Sequence, residues 1–85
     1  MVVEVADTTL RRDRGVKKRI YAAAGVPIYW IVNLKKRQIE VYTGPTGATQ
    51  TPTYAQRRDY GPDETVPVLI DNLEVGRIRV GDVLP

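Results

Sequence analysis

The sequence predicts an α/β fold with a βαβ core followed by an antiparallel hairpin, and three observations predict it. VVEVA opens the chain as a short apolar strand, and a basic helical segment follows it. IYWIVNL then reads as a strand covered on both faces, because it is apolar nearly throughout. QIEVY alternates directly after a KKR turn, which marks a hairpin.

In the first strand, residues 2 to 6, Val3 and Val5 point one way and Val2, Glu4 and Ala6 the other. Asp7, Thr8 and Thr9 offer capping side chains for a helix start. The helix is expected from near Leu10 or Asp13 to Ala24, with Val16, Ile20, Ala23 and Ala24 as the apolar stripe on the sheet. That phase leaves Lys18 and Arg19 exposed. Gly25 is a natural stop, and Pro27 places the chain beyond the helix. The strand Ile28 to Leu34 completes a parallel unit whose crossover is expected to be right-handed. In the next strand Ile39 and Val41 should point inward, and Gln38, Glu40 and Tyr42 outward.

Residues 43–53 are rich in Gly, Pro and Thr and read as a loop. Tyr54 to Tyr60 is a candidate short exposed strand, Thr65 to Ile70 another, and Gly76 to Val80 a last one. Tyr29 and Trp30 read as core residues rather than base-stacking ones. Asp59, Asp63 and Glu64 flank Gly61 and Pro62 and read as an exposed turn rather than a carboxylate cluster.

With 85 residues the chain is one small domain. It has no cysteine and no histidine, so disulfides, thiolate or imidazole metal sites and a Ser-His-Asp triad are excluded. Carboxylates, lysines, tyrosines and hydroxyls remain for chemistry. The longest apolar run, Ala22 to Val32, is broken by Gly25 and Pro27 and falls short of the ~20 residues of a membrane span. No signal-peptide order precedes it, so the default location is the cytoplasm, with no membrane partner. The net charge is +3, and the basic residues cluster at Arg11, Arg12, Arg14, Lys17, Lys18 and Arg19, and again at Lys35, Lys36 and Arg37. Such clusters are either solvated surface or the footprint of phosphate binding.

Glu4 and Lys17 are the pair that could carry chemistry. On a helical wheel Lys17 falls at the border of the expected apolar stripe, next to Tyr21, so its stem can be buried and its ammonium held near the sheet. A strand carboxylate could hold a hard cation such as Mg²⁺, and a lysine from the following helix could stabilise phosphate charge. The two could equally form a plain salt bridge, or Glu4 could face solvent at a sheet edge.

VVEV at Val2 to Val5, DRGVK at Asp13 to Lys17 and YAAAGVPIYWIVN at Tyr21 to Asn33 occur in order, followed by IEVYTGP. Together these blocks resemble the Uma-two family, which is classed with the PD-(D/E)XK restriction-endonuclease-like superfamily. The resemblance is dense over residues 2 to 42. It implies the C-terminal portion of a restriction-endonuclease-like fold and a metal-dependent endonuclease centre acting on DNA, with Mg²⁺ or Mn²⁺. By resemblance Glu4 is a metal-binding carboxylate and Lys17 the active-site lysine, carried on the helix. Asp13 and Tyr21 match motif positions with supporting roles, and Arg14 matches a phosphate contact or a surface charge.

The family pattern has a longer N-terminal part, including a Pro-Asp before the VVEV strand whose aspartate is a principal metal ligand, and here Met1 stands at that place. The chain thus resembles a single partial domain, an N-terminally truncated member with inactive or impaired catalysis. A second departure, Asn33 for the Asp that ends the YWIVD-like block, is expected to matter little. The alternative function is a non-catalytic oligomerising or nucleic-acid-binding domain that keeps the nuclease-fold core. In either case a homo-oligomer is expected, covering the Val2–Ala6 strand or the Ile28–Val32 sheet face.

Overall fold

The computed structural model describes residues 1–6, 11–71 and 73–84, with backbone alone for 11–14. In chain order the elements are β1 (Val2–Ala6), α1 (Arg11–Ala23), β2 (Ile28–Asn33), β3 (Gln38–Pro45), β4 (Tyr54–Tyr60), β5 (Thr65–Ile70), β6 (Leu73–Arg79) and α2 (Val80–Val83). Among the described residues a four-stranded sheet runs β1-β2-β3-β4, and β5 and β6 form a separate two-stranded sheet. β1 and β2 are parallel, and α1 joins them; β2 and β3 are antiparallel, as are β3 and β4. This is the expected βαβ unit with its following hairpin.

Local chemistry explains the boundaries. Gly25 takes φ 73°, the left-handed region open to glycine. Its N–H donates to the Ala22 carbonyl at 3.2 Å and the Val26 N–H to that of Tyr21 at 3.0 Å, the paired bonds of a Schellman end. The helix therefore stops one residue short of Ala24. The capping expected of Asp7, Thr8 and Thr9 falls outside the described residues. β3 runs three residues past Tyr42, to Pro45, which pairs with Tyr54. The expected loop over 43–53 is thus shortened at its start. The Thr53 N–H donates to the Thr46 hydroxyl at 3.1 Å, and the Gly47 N–H donates to the Ala22 carbonyl at 3.1 Å, which ties the loop to the end of α1. β6 begins at Leu73 rather than Gly76, and Val80 belongs to α2.

Each face of the four-stranded sheet is covered by a different element. On one side Trp30, Val32, Ile39 and Tyr60 pack with Val66 and Val80 of the β5–β6–α2 segment. On the other, Tyr29, Ile31, Tyr42 and Tyr54 pack with Ala22 of α1. β2 lies between the two clusters, and so its residues Tyr29 to Asn33 are all buried. The Ile28–Val32 face that was expected to need a second copy is thus covered within the chain. β1 is an edge strand whose Val3 and Val5 are 50% and 65% exposed.

Two orientations differ from the sequence expectation. Val16 and Ile20, the expected packed stripe of α1, are 41% and 57% exposed, while Ala22 is fully buried and Lys18 half-buried. The helix is turned by about half a revolution, since positions 16 and 20 lie ~200° from 18 at ~100° per residue. The reason lies in the sheet, which meets α1 with tyrosines and carboxylates rather than with an apolar surface. Polar and aromatic helix residues find partners there that Val16 and Ile20 lack. Glu40 and Tyr42, expected outward, are 1% and 5% exposed, because the face opposite Ile39 and Val41 is covered too.

Candidate active site

The α1-facing side of the sheet carries the candidate site. Parallel pairing sets Glu4 opposite Ile31, and antiparallel pairing sets Ile31 opposite Glu40 and Glu40 opposite Asp59. Three carboxylates therefore share one cross-strand row. The neighbouring row on the same face runs Val2, Tyr29, Tyr42, Arg57.

Glu4 is positioned by its strand and engaged by the helix. The Tyr21 hydroxyl donates to Glu4 Oε1 at 2.7 Å, and Lys17 Nζ lies 3.3 Å from Oε2. Tyr21 is held in turn by its ring, 5.0 Å from that of Tyr29. Glu4 keeps 27% of its side chain exposed and Lys17 51%, so both groups remain open to solvent. The Tyr21 hydrogen bond holds the Glu4 carboxyl below its ordinary value, desolvation opposes it, and Lys17 adds to the lowering. The same hydrogen bond raises the Tyr21 phenol, which must keep its proton in order to donate. The structure thus brings Glu4, Lys17 and Tyr21 together. The side chains of Asp13 and Arg14, in the first turn of α1, lie outside the described residues.

Sequence reasoning missed the polar centre of this face. Glu40 accepts from the Tyr42 hydroxyl at 2.8 Å, from Asn33 Nδ2 at 3.1 Å and from Gln38 Nε2 at 3.4 Å. Asn33, expected to matter little, is 6% exposed and also accepts the Lys36 N–H at 3.0 Å. An amide suits this position because an aspartate would set two carboxylates against each other. Arg57 lies 3.7 Å from Glu40 and grips Asp59 through Nε at 2.9 Å and Nη2 at 3.1 Å. The Arg57–Asp59 spacing was the available signal: i and i+2 on a strand share a face.

A family model described as "Putative restriction endonuclease" (Uma2) matches residues 1–75. The chain belongs to the Uma2 family. No curated protein and no solved structure matches it. Membership of Uma2 supports a nuclease-like function and implies DNA as the substrate class, and restriction-endonuclease-like families generally use a divalent metal. Among the described residues of this Uma2 chain, no three Asp, Glu, His or Cys side chains group closely enough to hold a metal ion. Among the described carboxylates of this row Glu4 is the one met by α1, while Glu40 is sealed in its own hydrogen bonds and Asp59, though 40% exposed, is paired with Arg57. That donor set fits Mg²⁺ or Mn²⁺ in the mode where one carboxylate is joined by water and substrate phosphate.

A cleft of about 580 Å³ opens on the opposite side of the sheet, lined by Trp30, Val41, Arg58, Tyr60, Val66 and Leu69 among others. Neither Glu4 nor Lys17 reaches it, and its lining offers no carboxylate. Among the described residues no helix is long and apolar enough to cross a membrane.

Proposed function

We propose that the α1-facing side of the sheet is a metal-dependent phosphodiester-hydrolase site of the Uma2 type that acts on DNA, with Glu4, Lys17 and Tyr21 at its centre. The observation that carries this reading is the convergence of Tyr21 and Lys17, one on each oxygen of a single strand carboxylate.

In this reading Glu4 is the chain's ligand to Mg²⁺ or Mn²⁺, which would supply charge neutralisation at the phosphate. Lys17 moves its ammonium from Glu4 to the phosphate oxygens when substrate arrives and stabilises the charge that develops there. Tyr21 holds the carboxylate in place through its hydroxyl. Asp13 and Arg14 stand beside this centre in sequence as supporting and phosphate-contacting residues. With Glu4 the one described carboxylate that both Lys17 and Tyr21 reach, cleavage by this chain is expected to be slow.

The test is nicking of supercoiled plasmid with Mg²⁺ or Mn²⁺. Metal-dependent nicking that is lost in Glu4→Gln and in Lys17→Ala supports the reading. Nicking that survives both substitutions, or DNA binding without any cleavage at millimolar metal, overturns it.

One observation favours a second reading, a non-catalytic domain that oligomerises. Val3 and Val5 on edge strand β1 and Val16 and Ile20 on α1 are large apolar side chains left exposed. A homodimer that covers β1 would bury the first pair. Light scattering at micromolar concentration separates the cases, because Val5→Lys should split such a dimer into monomers.

A further inference from the structure

Lys18 and Arg57 stand over the same ring. Lys18 Nζ is 5.3 Å from the Tyr42 centroid and Arg57 Cζ is 5.6 Å from it. Lys18 comes from α1 and Arg57 from the far edge strand β4, so the fold draws two cations together from opposite sides of the face. The Tyr42 hydroxyl donates to the buried Glu40, which fixes the ring and enriches its π-face for a cation.

The two cations differ in how they are held. Arg57 is anchored by Asp59 and leans on Glu40, yet 47% of its side chain is exposed. Lys18, a half-buried residue, has no carboxylate within 4.0 Å among the described residues, and its ammonium stands over the Tyr42 ring. The sheet lattice locates this pair relative to Glu4. Tyr42 lies two strands and one same-face row from Glu4. At ~4.8 Å per strand and ~3.4 Å per residue, that is about 12 Å between backbone positions. One strand of B-DNA presents a phosphate for each ~3.4 Å of axis. Because the phosphates also wind about that axis, a straight span of about 12 Å corresponds to a backbone phosphate about two places from the one at Glu4.

We propose that Lys18 and Arg57, supported by Tyr42, form a second phosphate subsite that holds the DNA backbone on one side of the Glu4 centre. This rests on the reading of the face as a DNA site. It adds residues that Glu4, Lys17 and Tyr21 do not include. Phosphate contacts position without reading bases, so the subsite contributes affinity and register rather than sequence preference.

Fluorescence anisotropy with short labelled duplexes of two unrelated sequences, in chelator so that no cleavage intervenes, tests the subsite through the salt dependence of binding. Lys18→Gln and Arg57→Gln should each flatten the slope of log K against log salt by about 0.9, the value of one lost phosphate contact. They should weaken both duplexes alike. Lys18→Arg should keep the wild-type slope, which guards against a folding defect. Arg19→Gln, on the outward side of the same helix, should leave the slope unchanged. If wild type binds but Lys18→Gln and Arg57→Gln keep its slope, or Arg19→Gln matches them, the subsite is overturned while the DNA reading stands. If wild type does not bind either duplex at low salt, the DNA reading falls and the subsite with it.

Discussion

Tyr21 gives its hydroxyl hydrogen to Glu4 across the gap between helix and sheet, at 2.7 Å. This contact sets the rotation of α1. With Tyr21 committed to the sheet, Ala22 and Lys18 follow it inward, and Val16 and Ile20 turn to the outside.

The rotation can be measured by denaturation. Ile20→Ala should change stability by no more than about 0.5 kcal/mol, as exposed substitutions do. Ala22→Leu should cost about 1–3 kcal/mol, because extra methylenes at a fully buried position have nowhere to go. A larger loss for Ile20→Ala than for Ala22→Leu would contradict the helix phase.

The βαβ order and most strand positions were legible because they depend on local signals, such as the Gly25 stop and the apolar run of β2. The helix phase was not, because hydrophobic periodicity assumes that the packed face is apolar, whereas this sheet offers Glu4, Glu40 and a group of tyrosines. Strict alternation places Glu40 outward because it implies one wet face. What covers that face comes from α1 and from β4, which supplies Arg57. Glu4 and Lys17 still meet, at 3.3 Å, because a border residue on a helical wheel stays near the border when the buried stripe changes sides. Asn33 went unvalued because its partner lies seven residues away, across a hairpin.

The polar centre around Glu40 should be costly to disturb. Glu40→Ala leaves the donors of Asn33 and Tyr42 without their acceptor, at ~1–3 kcal/mol per orphaned buried donor. Asn33→Asp should instead give a pH-dependent loss. Its deficit against wild type should grow as pH rises through the carboxylate range, where the new group is forced to ionise beside Glu40. Chemical denaturation at several pH values checks both, and a pH-independent deficit for Asn33→Asp would contradict the contact.

Glu4 links stability to pH in the opposite sense. Its folded carboxyl titrates below the unfolded one, so its contribution is present above the unfolded value and is lost as pH falls through the folded one. The difference in stability between wild type and Glu4→Gln should therefore be constant at neutral pH and shrink on acidification below about pH 4.3. A difference that widens on acidification would mean that Glu4 is not stabilised in its charged form.

Lys17→Ala should leave the fold intact. The Lys17–Glu4 pair is half exposed on the lysine side, and such pairs contribute about 0–1 kcal/mol. Thermal melting of this variant within a few degrees of wild type allows any loss of DNA cleavage to be assigned to the missing ammonium. A melt that drops by more than ~10 °C would instead give Lys17 a structural role.

The central claim, that Glu4 is the chain's own ligand to a divalent cation, is tested most directly by Mn²⁺ binding measured with electron paramagnetic resonance on wild type and Glu4→Gln. The account predicts saturable binding of one Mn²⁺ to wild type, weakened at least tenfold in Glu4→Gln and weakened less in Tyr21→Phe, where only the supporting hydroxyl is lost. Equal Mn²⁺ affinity in wild type and Glu4→Gln would contradict it.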